Sequence, residues 1–144
     1  MKIIVSSCLL GLNCRYCGGG ALNAEVLKLN EEHQLIPLCP EQLGGLPVPR
    51  LPNEILNGQV INKDGTNETC AFNRGAQEVL SLAKRMGCTC AILKERSPSC
   101  GSRTIYDGTF SGTKISGMGV TAKLLHENGI KVVSEENIED LWRQ

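Results

Sequence analysis

Aromatic residues are scarce: Tyr16, Phe72, Tyr106, Phe110 and Trp142 are the only five in a chain of 144. So few rings leave little on which nucleobases could stack. An excess of charge of either sign is also missing, since fifteen Lys and Arg balance fifteen Asp and Glu. That balance removes the electrostatic footprint expected of a partner to a nucleic acid polymer or an anionic membrane. No apolar run approaches the roughly 20 residues that span a bilayer. The opening Met1-Lys2-Ile3-Ile4-Val5-Ser6 has one base and a short apolar run, and it reads as a buried first strand rather than a signal peptide. These absences point to a cytoplasmic protein whose partner is a small molecule. Only His33 and His126 represent histidine. Both fall on expected helical surfaces, so a Cys/His nucleophile pair is not expected.

Cysteine is what the chain has in excess, with eight residues. A secreted disulfide framework suits an even count, but it fits poorly with a long, regular chain that lacks an export signal. In a reducing compartment such cysteines more often bind metal or carry out chemistry.

The apolar pattern alternates between strand and helix. Strands are expected at Lys2–Ser7, Gln34–Leu38, Thr89–Lys94 and Ile130–Val133, with a short extended piece at Val60-Ile61. Helices are expected from the cap Asn23 to about Glu32, from Cys70 to Met86 with Gly87 just past its end, and from Met118 to Asn128. Ser134 is expected to cap a last short helix carrying Ile138, Leu141 and Trp142. Strands separated by helices imply right-handed crossovers and a mainly parallel sheet. The expectation is a single Rossmann-like α/β domain over residues 1–144, with about four strands flanked by helices. Its long Cys/Gly/Pro-rich loops fall at the C-terminal edge of the strands, and loops of such length in so small a domain are usually functional.

Cys8, Cys39 and Cys100 follow the ends of three expected strands, Cys100 after the short segment Lys94–Ser99. In a parallel sheet those ends share one edge, where open α/β proteins bind ligands. Each thiol taken alone is explained by packing. Three together are able to hold a metal centre with one position left open for a substrate. In Cys39-Pro40-Glu41, the carboxylate is placed for proton transfer or water activation. Gly44-Gly45 permits close backbone approach to a ligand, and Arg50 supplies a planar, permanently charged donor. Ser97 and Ser99 bracket Cys100 with hydroxyls for a substrate or an inorganic sulfide, while Lys94, Arg96 and Arg103 lie nearby. Cys14 and Cys17 form a C-x-x-C pair followed by three glycines, a weak signal for zinc or for thiol redox chemistry. Cys88 and Cys90 fall at the opposite edge as packing residues, and Cys70 falls at a helix start. Gly117-Met118-Gly119 formally resembles a dinucleotide fingerprint but has no strand immediately before it, leaving at most a helix N-terminus that meets an anion or carbonyl.

These motifs resemble a bacterial family catalogued as domain of unknown function 523, which includes the iron–sulfur-dependent thiouracil desulfidases. Ser6-Ser7-Cys8-Leu9-Leu10-Gly11, Cys14-Arg15-Tyr16, Cys39-Pro40-Glu41, Gly44-Gly45-Leu46-Pro47, Pro49-Arg50 and Lys94 to Gly101 carry the resemblance. It implies a [4Fe–4S] cluster on Cys8, Cys39 and Cys100, with the fourth iron open to the sulfur of a thiolated pyrimidine. It further implies that Glu41 activates water and that Ser97 serves as proton or hydrogen-bond partner. The products would be uracil and sulfide, with no net redox change. Cys17 stands where the family's pattern leads one to expect aspartate. A non-enzymatic carrier of zinc or sulfur, and a redox module using Cys14 and Cys17, are the competing readings.

Overall fold

The computed structural model describes residues 1–143; Gln144, the last residue of the expected domain span, lies outside them. The chain runs β1 (Lys2–Ser6), a 3-10 turn (Ser7–Leu10), α1 (Ala24–Lys28), β2 (Gln34–Leu38), α2 (Pro40–Leu43), β3 (Asn53–Leu56) and β4 (Gln59–Asn62). It continues through α3 (Thr69–Met86), β5 (Cys90–Leu93), β6 (Thr104–Tyr106), β7 (Lys114–Ser116), α4 (Val120–Glu127) and β8 (Lys131–Ser134), and ends in a 3-10 segment (Ile138–Trp142). The main sheet has four strands in the order β2-β1-β5-β8, and every pairing in it is parallel. The expected α/β architecture is therefore what forms.

The central strands are apolar on both faces because both faces are covered. Ile4, Ala91 and Leu93 pack with Val79, Leu80 and Ala83 of α3 and with Ala122 and Leu125 of α4. Ile3, Val5 and Ile92 face the other way, against Leu9, Val26 of α1, Ile138 and Leu141. Full burial of each such aliphatic side chain contributes about 1.5–3 kcal/mol. Among the described residues no helix is long and apolar enough to cross a membrane.

Several elements differ from expectation. The segment after Cys39 is not all loop, since Pro40 opens the short helix α2 from its first position, where a missing N–H costs nothing. The extended piece at Val60-Ile61 is one arm of a hairpin, β3–β4, turned by Asn57-Gly58 with φ of 52° and 76°. Asn-Gly is favoured there because a two-residue I′ turn needs positive φ at both central positions. The Gly/Ser/Thr-rich stretch before α4 holds a second hairpin, β6–β7. Helix α4 begins at Val120, not at Met118. Ser134 completes β8 and does not cap a helix; its hydroxyl donates to Asn137 Oδ1 at 2.6 Å, and Asn137 precedes the final 3-10 segment.

Helix α2 lies against α3 at backbone contact distance. A Cβ added to Gly75 would sit 1.9 Å from the Pro40 carbonyl oxygen, and one added to Gly44 would sit 2.0 Å from that of Ala71. Both neighbours are backbone atoms and cannot rotate away. Gly75→Ala is expected to lower stability in urea or thermal denaturation by at least about 1–3 kcal/mol, the usual cost of overpacking. Gly19, whose φ is not positive and whose built Cβ would meet only Cys17 Sγ at 3.5 Å, lacks this contact and is the comparison site for the crowding component.

Candidate active site

The strand order explains why distant cysteines meet. β1 lies between β2 and β5, all three pointing the same way, so Leu38, Ser6 and Leu93 end side by side. Cys8 lies in the 3-10 turn after β1, Cys39 is the residue before α2, and Cys100 closes the loop after β5. All three line one cavity of about 480 Å³, together with Glu41, Arg50, Ser97 and Ser99. The volume lies in the range of small-molecule sites. Gly45 is not among the lining residues; it turns the chain after α2 with φ of 96°.

The carboxylate of Glu41 is held by Arg50 Nη2 at 2.7 Å, in a pair whose side chains are only 15% and 4% exposed. Burial pushes the Glu41 carboxyl above its ordinary value, and the attraction and hydrogen bond of Arg50 offset this only in part. Arg50 is less free to meet substrate than its sequence context implied. Its Nη2 also donates to the Cys14 carbonyl and its Nη1 to that of Pro47, both at 3.1 Å. Its Nε is buried and has no partner among the described residues.

The Cys100 loop is built around a second buried carboxylate. Glu95 Oε1 accepts the backbone N–H groups of Ser102, Arg103, Thr104 and Arg96 at 2.8–3.3 Å, and Oε2 accepts the Ser102 hydroxyl at 2.9 Å. Burial raises the Glu95 carboxyl, but these donors outweigh it and hold it below the ordinary Glu value. Within the loop, Ser97 Oγ accepts from the N–H groups of Ser99 and Cys100. The Ser97 and Ser99 hydroxyls lie 3.0 Å apart. Helix α4 closes the loop from behind, where Val120 and Thr121 donate their N–H groups to the carbonyls of Pro98 and Ser99 at 2.8 Å. Those donors are consumed inside the protein, so the glycines before α4 do not form an anion site.

The basic residues named from sequence separate. Lys94 and Arg96 line the cavity and pair with Glu135 and Glu136 at 2.8 Å, whereas Arg103 pairs with Asp140 outside it. Cys14 lines the cavity and is buried, while Cys17 is exposed. The two halves of C-x-x-C thus occupy different environments. Cys88 and Cys90 are buried at the far end of β5, and Cys70 is exposed in the first turn of α3. Ser6, Cys14 and Glu95 are cavity residues that sequence reasoning did not assign to the site. Each carried a signal only by standing in a motif with a named cysteine, Ser6 and Cys14 near Cys8 and Glu95 ahead of Cys100.

The thiols fit a cluster. Burial, then the neighbouring Cys100 and Cys14, push Cys8 up to about 12. Burial pushes Cys100 up to about 12 and, with Cys39 beside it, Cys14 to about 11. Such thiols become thiolates only beside a strong positive charge, which a bound metal centre supplies. Among the described residues no three Cys, His, Asp or Glu side chains converge tightly enough for a single ion. Three thiols around one cavity form the soft, all-sulfur donor set that an iron–sulfur cluster takes.

An α/β domain with thiols and buried carboxylates at its strand-end cavity defines a class, and sequence and structural relatives define the family. A sequence profile of the 2-thiouracil desulfurase family matches residues 3–137, and the chain belongs to that family. The uncharacterized protein YbbK of Bacillus subtilis (strain 168) is 44% identical over 149 residues, covering 96% of this chain and 99% of its own. The solved structure of the [4Fe-4S]-dependent thiouracil desulfidase TudS superposes with a TM-score of 0.93 at 43% identity, over 98% of this chain and 95% of that one.

Glu95 has a testable signature. Because its folded value lies below the ordinary 4.5, its contribution to stability is complete above that pH and is lost as pH falls through the lower folded value. Glu95→Gln is therefore expected to cost about 1–3 kcal/mol at neutral pH. The gap to the parent protein narrows in thermal unfolding as the buffer is taken well below pH 4.5.

Proposed function

We infer that this protein is an iron–sulfur-dependent desulfidase that exchanges the sulfur of a 2-thiouracil-like pyrimidine, or a related thioamide, for oxygen and releases sulfide. One observation carries the reading: Cys8, Cys39, Cys100, Glu41 and Ser97, drawn from three neighbouring strand ends, line one cavity. Residues 1–144 work as one α/β domain, and Cys8, Cys39 and Cys100 hold the cluster. When bound, a [4Fe–4S] cluster with three protein ligands supplies a thiophilic Lewis acid at its fourth iron.

The chain's own residues supply the rest. Glu41 Oε1, the oxygen not held by Arg50, takes the proton of the attacking water. Its burial makes the carboxylate a stronger base than one in solvent. Arg50 fixes the direction of Glu41 through Oε2, and its guanidinium, which lines the cavity, is the donor for a substrate carbonyl. The Ser97 hydroxyl, its two lone pairs held by the Ser99 and Cys100 N–H groups, turns its proton from Ser99 Oγ to the ring as charge develops there. Gly45 acts indirectly, through the turn that seats α2 and Glu41. The eight unpaired cysteines suit a reducing cytoplasm.

Anaerobically purified protein is expected to contain about four irons and four acid-labile sulfides per chain, with both lost in Cys8→Ala. It should convert 2-thiouracil to uracil and sulfide. Glu41→Gln should retain the cluster and lose about 10²–10⁴-fold in turnover. Zinc in place of iron and sulfide, or a loaded cluster inert towards every thiopyrimidine, would sink the assignment.

A further inference from the structure

We propose that Ser6 is a positioning residue for the cluster: its hydroxyl is a committed hydrogen-bond donor to the Cys100 sulfur and makes that ligand electronically distinct from Cys8 and Cys39. The inference rests on the cluster reading above. Ser6 is the last residue of β1 and only 3% exposed. Its Oγ lies 3.3 Å from Cys100 Sγ and 2.9 Å from the backbone nitrogen of Lys94.

A hydroxyl has one proton and two acceptor lone pairs. The Lys94 N–H can only donate, so it occupies a lone pair of Ser6 and leaves the Ser6 proton for sulfur. Ser99 Oγ is a second, more distant neighbour of Cys100 Sγ at 3.6 Å; Ser97, whose lone pairs accept two backbone N–H groups, donates to Ser99 at 3.0 Å, so the Ser99 proton adds a longer and weaker contact to that of Ser6. Among the described residues no hydroxyl donates to Cys8 or Cys39 sulfur. Cys39 Sγ instead faces the Cys14 carbonyl at 3.8 Å, as a donor. The asymmetry therefore belongs to Cys100, and Ser6 maintains it.

Ser6 also joins the middle strand to the end of β5, since its two partners are Lys94 and Cys100. It thereby sets both where the Cys100 sulfur sits and how much electron density that sulfur gives to iron. Hydrogen bonds to cluster sulfurs are a principal means by which proteins set cluster potentials. A donor withdraws density from thiolate, stabilises the reduced cluster and sharpens the Lewis acidity of its iron.

The test compares Ser6→Thr with Ser6→Val, two side chains of the same shape that differ in hydroxyl against methyl. Holoenzyme is reconstituted anaerobically, and iron and sulfide content, midpoint potential and turnover of 2-thiouracil are measured. Ser6→Thr is expected to keep the parent potential. Ser6→Val is expected to shift to a more negative potential and lose about 10–100-fold in turnover or cluster retention. A cluster held by the Thr variant and lost by the Val variant equally supports the proposal. Equal potentials in parent, Thr and Val proteins overturn it, and so does loss of the cluster from both variants, because bulk at position 6 would then be what matters. Parent protein that takes up no iron and sulfide overturns the cluster reading itself, and this inference falls with it.

Discussion

Parallel pairing of β1 with both of its neighbours is the constraint from which the site follows. With Ile4 opposite Ile36 on one side and Ala91 on the other, the register is locked by side chains buried on both faces. A slip of one residue would turn Ile3 and Val5 to the face built for Ile4. Because the three strands share a direction, the chain leaves each of them at the same edge. The loops that follow are then forced into one another's company. Cys39 directly follows β2, Cys8 is the second residue past β1 in its 3-10 turn, and Cys100 needs the folded segment after β5.

Two buried carboxylates turn that crowding into defined geometry by different means. Glu41 is balanced by a cation, Arg50, whose remaining donors also tie down the carbonyls of Cys14 and Pro47. Glu95 is balanced by four backbone N–H groups and the Ser102 hydroxyl, so it binds its own loop rather than a cationic side chain. An unpaired buried charge would cost several kcal/mol, more than any one aliphatic contact in the core contributes. Loops that satisfy such groups have few alternative conformations. The result is a rigid rim carrying soft ligands, with a basic carboxylate beside them.

Most of the main sheet was legible from pattern. Gln34–Leu38 was readable to the residue, and the stripe Ala76, Val79, Leu80 and Ala83 marked α3 because helical periodicity survives on a half-buried surface. The hairpin β3–β4 was legible in principle, through Asn57-Gly58, but its arms are four residues each and carry little alternation. Helix α2 is equally short, and its position depends on contact with Gly75, far away in sequence. Local propensity had almost nothing to record there. The pairing of Glu41 with Arg50 and the bridge from Ser6 to Cys100 were hidden for the same reason, since each joins residues whose own sequence context explains them otherwise.

By itself the sequence determined the alternation of strands and helices, the placing of Cys8, Cys39 and Cys100 after strand ends, and the motifs of the 2-thiouracil desulfurase family. Periodicity and short motifs are local properties, written in consecutive residues. Only the tertiary structure decided that β1 stands between β2 and β5. It likewise decided that Cys14 faces the cavity while Cys17 does not, that Arg50 is committed to Glu41, and that Ser6 addresses Cys100. Those outcomes depend on strand order and on which buried donor finds which acceptor. Both are settled by packing across the sheet, between residues as far apart in the chain as Ser6 and Cys100.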